Sequence, residues 1–433
     1  MSPELISILV LAVVFVIATT RSVNMGALAF AAAFGVGELV ADLDADGIFA
    51  GFPGDLFVVL VGITYLFAIA RANGTTDWLV HASIRLVRGR VALIPWVMFF
   101  LTGALTAIGA VSPAAVAIVA PIALSFAARY GISPLLMGAM VVHGAQGGGF
   151  SPISIYGTIV NGIVEREDLP GNELALFLTS LIANLVIAGV VFVLFGGLKL
   201  WTRGAMNEGP APADPTPGHP EADTTEPAPT EPAPQLTPAR MATLASLLAL
   251  VIAVLVFDLD AGLTAVTLAA LLSAVWPDDS RKAVGQIAWS TVLLICGVLT
   301  YVGVLDEMGT ITWAGEGVSD IGIPLLAAVL LCYIGAIVSA FASSVGIMGA
   351  LIPLAVPFLA QGEIGAVGMV AALAVSATVV DVSPFSTNGA LVLAAAPDVD
   401  RERFFRQLMI YGGIVVAVVP AVVWLVLVVP GFG

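Results

Sequence analysis

The chain has 433 residues, 59% of them hydrophobic and 10% charged, with a mean hydropathy of +1.06 and a net charge of −15. A soluble domain carries about 25% charged residues and disorder needs the opposite bias, so neither describes this chain. The acidic balance excludes a nucleic-acid binder. Cys296 and Cys332, the only cysteines, sit inside apolar runs and read as small packing residues rather than a disulfide framework. What remains is an all-α polytopic membrane protein.

Met1-Ser2-Pro3-Glu4 places no Lys or Arg ahead of the first apolar run, so residues 5–20 read as a retained span and not a signal peptide. About 20 apolar residues cross a bilayer as helix. On that measure apolar segments fall near 5–20, 24–41, 56–72, 91–109, 114–128, 133–148, 173–198, 239–257, 262–276, 286–304, 323–341, 345–360, 364–380 and 409–430. Several of these fourteen are too short, or too broken by Gly and Pro, to be simple spans. Residues 75–90 read as an interfacial helix whose Arg85, Arg88 and Arg90 anchor it at headgroups. Residues 204–238 hold ten of the 26 prolines and six acids, a composition that cannot bury enough surface to fold. They read as a disordered linker between two hydrophobic halves.

With the N-terminus outside, Arg21, Arg71, Arg85, Arg88, Arg90, Arg129, Lys199, Arg203, Arg240, Arg281, Lys282, Arg401, Arg403 and Arg406 fall inside and only Arg166 falls outside. The positive-inside rule supports that orientation and makes the linker cytoplasmic.

A shift of 232 positions lays residues 112–160 on 344–392 without a gap, and 14 of the 49 positions are identical. The match ends in Ser151-Pro152-Ile153-Ser154-Ile155-Tyr156-Gly157 against Ser383-Pro384-Phe385-Ser386-Thr387-Asn388-Gly389. Equivalent segments are seven elements apart. Because seven is odd, the halves are expected to be inverted repeats, as in secondary transporters.

Two polar breaks interrupt each half. The first is Gly109-Ala110-Val111-Ser112-Pro113, matched by Ala342-Ser343-Ser344-Val345; with almost no room for a loop, each reads as the tip of a re-entrant helical hairpin. The second is Gly147-Gly148-Gly149-Phe150-Ser151-Pro152-Ile153-Ser154, matched by Val380-Asp381-Val382-Ser383-Pro384-Phe385-Ser386. Pro removes a backbone donor and Gly lowers helix persistence, so both predict broken helices. Unwound backbone at membrane depth is tolerated only inside protein or along a watered cavity. There, freed N–H groups hold carboxylates while carbonyls and hydroxyls hold a cation.

The candidate substrate-binding residues are therefore Ser112, Pro113, Ser151, Ser154, Ser343, Ser344, Ser383, Ser386, Thr387 and Asn388. Asp381 follows a long apolar run, and a charge at that depth is costly and functional by default. With Ser112, Ser344 and Gly149 it forms the candidate ion-coupling set. His143 is a weaker member, since a packed, hydrogen-bonded core histidine is the competing reading. Gln146 is positioned to polarise the same cavity. No deeply placed Arg or Lys offers a counter-charge.

At these breaks the sequence resembles the ion transporter superfamily of carboxylate carriers (divalent anion/sodium symporter-like). Its N-terminal half resembles the MatC-type dicarboxylate (malonate) carriers. The resemblance implies an elevator-type transporter: residues 1–90 and 239–320 form a scaffold, and 91–199 and 321–433 a moving transport part. It also implies homodimerisation. Neither hairpin tip carries the Ser-Asn-Thr of sodium-coupled dicarboxylate carriers, which leaves Na⁺ and H⁺ both open as the coupling ion. The function expected is import of a small dicarboxylate, malonate or a C4 acid, across the inner membrane, with no cofactor and no metal beyond Na⁺. A cation/proton antiporter exchanging at Asp381 is the alternative. An intramembrane serine hydrolase is disfavoured: Gly149-Phe150-Ser151-Pro152-Ile153 lacks the second glycine of a nucleophile elbow, and neither a zinc-protease motif nor a phosphate loop occurs.

Overall fold

Each of the fourteen apolar segments folds as a helix, and the local chemistry of the chain sets the ends. A computed structural model describes residues 2–21, 23–84, 90–202, 235–257, 259–311, 313, 324–340, 344–359, 362, 364–397 and 399–432. Most of the 204–238 linker, together with Arg85, Arg88, Arg203 and Ser343, lies outside the described residues. The first half runs α1 (Pro3–Thr20), α2 (Met25–Leu39), α3 (Ala45–Ala50), α4 (Gly54–Ala72), α5 (Thr75–Ile84), α6 (Ile94–Ala107), α7 (Ser112–Tyr130), α8 (Pro134–Gly148), α9 (Ile155–Arg166), α10 (Glu173–Leu194) and α11 (Gly197–Thr202). The second half runs α12 (Pro238–Phe257), α13 (Ala261–Val275), α14 (Pro277–Val284), α15 (Trp289–Glu307), α16 (Pro324–Ser339), α17 (Ser344–Leu359), α18 (Ala366–Val379), α19 (Thr387–Ala395) and α20 (Arg401–Val423).

Ser2 caps α1 ahead of Pro3, Ser133 caps α8 ahead of Pro134, and Gly131, at φ +63°, ends α7 in the left-handed conformation that a Cβ disfavours. The last helix begins at Arg401, not near 409, because Asp400 caps it and its charged first turns are amphipathic rather than apolar. Among the described residues, six helices are long and apolar enough to cross a membrane, α4, α7, α10 and α15 among them.

Lipid-facing surfaces follow the helical period. On α10, Leu174, Leu178, Ile182, Val186 and Val190 are exposed at every fourth position, while Ser180, Asn184 and Ala188 on the opposite face are buried. Between helices, small residues bring backbones close. A Cβ on Gly148 of α8 would stand 1.9 Å from the Gly103 carbonyl of α6, and one on Gly144 would stand 2.2 Å from that of Phe99.

Two apolar clusters form the interior. One gathers α1, α2, α4, α13 and α15 with α17 and α18; the other gathers α6, α7 and α8 with α20. The halves interlock where α19 packs on α7 and α18 packs on α10. Arg166, the basic residue that the charge split leaves outside, ties α9 to α4 through Asp55 at 2.6 Å. The pair is solvent-exposed enough to contribute no more than about 1 kcal/mol.

Candidate functional site: a polar cluster beneath a central cavity

The two Ser-Pro breaks are built the same way. In the first, the Ser154 hydroxyl donates to the carbonyls of Gly149 and Ser151, the latter at 2.7 Å, and accepts from Gly157 N–H. In the second, Ser386 donates to the carbonyls of Asp381 and Ser383 and accepts from Gly389 N–H. Each serine thereby caps the following half-helix, α9 or α19, and satisfies the carbonyls that the break releases. The glycine three residues on is required by space. A Cβ at Gly157 would sit 2.0 Å from the Ser151 carbonyl oxygen, and one at Gly389 would sit 1.9 Å from that of Ser383. Ser151 donates to the Ala107 carbonyl at 2.6 Å, pinning the first break to the end of α6. Ser383 accepts from Phe385 N–H within its own turn.

Asp381 sits in the 3₁₀ turn between α18 and α19 and is 6% exposed. Ser344, at the start of α17, donates to its Oδ1 at 2.6 Å, and Gln146, near the end of α8, donates to its Oδ2 at 2.8 Å. Ser339 donates to Ser344 at 2.8 Å. Asn388 donates to Ser112 at 2.8 Å, and Gln146 Nε2 lies 3.4 Å from the same hydroxyl. The first residue of α7, the end of α8, the first residue of α17, the 3₁₀ turn and the start of α19 thus meet in one connected cluster. Two of its acceptors, Gln146 Oε1 and Asn388 Oδ1, are buried without a hydrogen-bond partner. The orientation of Gln146 is dictated by the carboxylate, because turning its oxygen toward Asp381 would oppose two acceptors. A buried amide oxygen left unpaired costs about 1–3 kcal/mol, so two in one cluster are a site wanting a ligand rather than a finished core.

His143 stands one helical turn before Gln146. Its Nδ1 donates to Asn184 Oδ1 at 2.9 Å, since the Asn184 amide nitrogen is committed to the Ser180 carbonyl, and its Nε2 meets the Tyr411 hydroxyl at 2.6 Å. The ring braces α8 against α10 and α20. Neither His143 nor Gly149 touches Asp381 through a hydrogen bond.

A cavity of about 560 Å³ lies over the cluster. Of the sequence-derived candidates, Pro113, Ser344, Asp381 and Thr387 line it. Ser112 and Asn388 lie behind its wall, and Ser151, Ser154, Ser383 and Ser386 are taken up by the loops themselves. First-turn residues of five helices reach this space: Met25 of α2, Pro113 and Ala114 of α7, Ser290 and Thr291 of α15, Ser344 and Val345 of α17, and Thr387 of α19. The N-termini of α7 and α15 carry no side-chain cap. Converging helix N-termini present free N–H groups and positive dipole ends, which suits an anion. Thr64, Tyr156 and Gln286 also line the cavity, and none was singled out by motif. Arg71 lines it too: the sequence offers no deeply placed Arg or Lys, and this one, from the last turn of α4, stands at the cavity wall. Counted along the sequence Arg71 is a helix-end topology anchor, and only packing turns it to the cavity wall.

Residues 1–149 match the family model of the dicarboxylate carrier protein MatC N-terminus. The resemblance drawn from the motifs holds for that part of the chain. In fold, the chain is similar to the YdaH transporter of Alcanivorax borkumensis, with 15% identity, 98% of each chain covered and a TM-score of 0.59. No protein of curated function matches it by sequence. With several helices long and apolar enough to cross a membrane among the described residues, the chain is a multi-pass membrane protein.

Proposed function

We propose that the protein is a secondary transporter that imports a small dicarboxylate, malonate or a C4 acid, across the inner membrane with Na⁺ or H⁺ as the coupling ion. The observation that carries this reading is the cavity in which five helix starts surround a space floored by Asp381. An anion is held by the helix starts, while the Asp381 carboxylate, the Ser112 and Ser344 hydroxyls and the unpartnered oxygens of Gln146 and Asn388 supply an oxygen set for a small cation. A carboxylate beside an anion site stays occupied only if a cation neutralises it, which couples the two bindings. If Na⁺ is the ion, Gln146 and Asn388 contribute ligand oxygens. If H⁺ is the ion, the protonated carboxyl needs an acceptor, and a rotated Gln146 amide offers one.

The match over residues 1–149 to a dicarboxylate carrier family favours a carboxylate over a cation/proton exchange. The matching Ser154 and Ser386 caps of the two Ser-Pro breaks support an internal repeat. The inverted relation of the halves, the scaffold (1–90, 239–320) and moving part (91–199, 321–433) of an elevator, and a homodimer belong to the same proposal.

The test is uptake of labelled malonate, succinate and citrate into proteoliposomes under imposed Na⁺ or H⁺ gradients. Accumulation of a dicarboxylate against its own gradient is expected with one ion and absent without it. Uptake of no carboxylate under either gradient overturns the reading.

A further inference from the structure

Arg71 closes a stripe on α4. Thr64, Phe67, Ala68 and Arg71 recur at three- and four-residue spacing, and all four line the central cavity. Along the helix axis this stripe covers about 10 Å, longer than a three- or four-carbon diacid needs. The guanidinium is held at one edge only: Nε donates to Gln286 Oε1 at 3.2 Å, and Gln286 comes from the turn between α14 and α15. Among the described residues no carboxylate lies within salt-bridge distance of Arg71, and neither terminal amino group has a hydrogen-bond partner. A topology anchor would turn to headgroups and water. This one is half-buried, positioned by a second side chain, and lines the same cavity as Asp381.

We infer that Arg71 is a carboxylate-binding residue of the transport cavity, and that it selects substrates bearing two carboxylates over those bearing one. The inference rests on the proposed dicarboxylate transport. Its chemical reason is charge balance. Helix starts supply partial charges that suffice for one carboxylate, whereas a second carboxylate sharing a cavity with Asp381 needs a full opposite charge. Among the described residues that line the cavity, Arg71 is the one Lys or Arg. Fixing Nε on Gln286 leaves the two amino groups as a fork whose geometry suits a carboxylate in two parallel hydrogen bonds. Lysine would retain the charge but not the fork, so Arg71→Lys and Arg71→Gln separate the two contributions.

The experiment compares wild type, Arg71→Lys and Arg71→Gln in proteoliposomes, using labelled malonate with unlabelled malonate or its monomethyl ester as competitor. Binding to the detergent-solubilised protein is read in parallel as a malonate-induced rise in melting temperature. For Arg71→Gln the malonate KM should rise at least tenfold, the preference for malonate over the monoester should be lost, and the melting shift should vanish. Arg71→Lys should fall between it and wild type. A wild-type KM and a wild-type preference in Arg71→Gln would overturn the assignment while leaving dicarboxylate transport standing. So would a variant that loses malonate and the monoester in equal proportion. Wild-type vesicles that take up and bind no dicarboxylate would overturn both.

Discussion

Asp381→Asn separates the chemical role of the cluster from its structural one. In the native cluster the carboxylate accepts from Ser344 at 2.6 Å and from Gln146 at 2.8 Å. Asn keeps one acceptor for Ser344, and its new amide donor faces Gln146, whose own oxygen has no partner and accepts it once the amide rotates. The exchange trades charge-assisted hydrogen bonds of about 1.5–3 kcal/mol for neutral ones of about 0.5–1.5 kcal/mol, so the fold should lose no more than about 2 kcal/mol. The cation loses far more. A unit charge about 3 Å from a carboxylate gains about 5 kcal/mol at an effective dielectric constant of 20, and desolvation takes back a large part of that. A net 1.4–3 kcal/mol is roughly a ten- to hundredfold loss of cation affinity. In proteoliposomes the variant should insert and melt close to wild type, lose gradient-driven accumulation, and retain slow exchange of internal for external substrate. Wild-type accumulation by Asp381→Asn would refute the coupling role. A capping role does not account for the residue, because the cap of α19 is Ser386 and the Asp381 side chain points to Ser344 and Gln146 instead.

Ser154→Ala and Ser386→Ala each remove a cap and should lower stability by about 0.5–2 kcal/mol with little change in substrate KM; a KM raised more than tenfold at an unchanged melting temperature would place these hydroxyls on the substrate. Gly389→Ala puts a Cβ 1.9 Å from the Ser383 carbonyl oxygen, and size-exclusion chromatography of the purified variant should show aggregation or loss of the folded species. His143→Leu strands the partners Asn184 and Tyr411 at about 1–3 kcal/mol each and should lower the melting temperature sharply, whereas the milder His143→Gln should keep the wild-type pH profile of uptake; a shifted profile would make His143 a coupling group. Deleting residues 208–236, with a spacer joining the halves, should leave KM nearly unchanged, because that acidic, Pro-rich stretch lies outside both repeats; loss of uptake in a correctly inserted deletion would show that it takes part.

The helices were legible because a bilayer asks one thing of a segment, a sustained apolar run, and composition reports it directly. Apart from the interfacial helix read at 75–90, part of which is α5, the charged helices and helix ends were not. The helix over 45–50 opens on Asp44 and carries Asp46, α14 begins Pro277-Asp278-Asp279, and the start of α20 is charged, so none of them registers as an apolar run. The breaks at Ser151-Pro152 and Ser383-Pro384 were legible from Pro and Gly. The use of their serines was not, because a hydroxyl that caps a half-helix and one that meets a substrate look alike in sequence. Arg71 failed for another reason. Its place at a helix end satisfies the positive-inside rule, and nothing local distinguishes an arginine facing headgroups from one turned inward by Gln286, 215 positions away.

The comparison of the two halves carries information that neither half carries alone. At a shift of 232, the positions that build the breaks are identical: Ser151 and Ser383, Ser154 and Ser386, Gly157 and Gly389. The capping hydrogen bonds of Ser154 and Ser386 repeat, and both glycines are demanded by the equivalent carbonyl. Three of the positions that furnish the cluster differ. Asp381 stands opposite Gly149, Gln146 opposite Thr378, and Asn388 opposite Tyr156, whereas Ser112 and Ser344 are equivalent and identical. The differing positions are the side chains given separate work in the two halves. Asp381 and Gln146 come from opposite halves and hold each other directly, at 2.8 Å. Moving the carboxylate to the equivalent place in the first half, by pairing Gly149→Asp with Asp381→Gly, would thus not restore the site. A Cβ at position 149 lies beside the Tyr156 ring and the carbonyls of Ala145 and Gln146, acceptors that oppose a carboxylate. Recovery of gradient-driven uptake by that double variant would show that the halves are interchangeable and that the asymmetry carries no function.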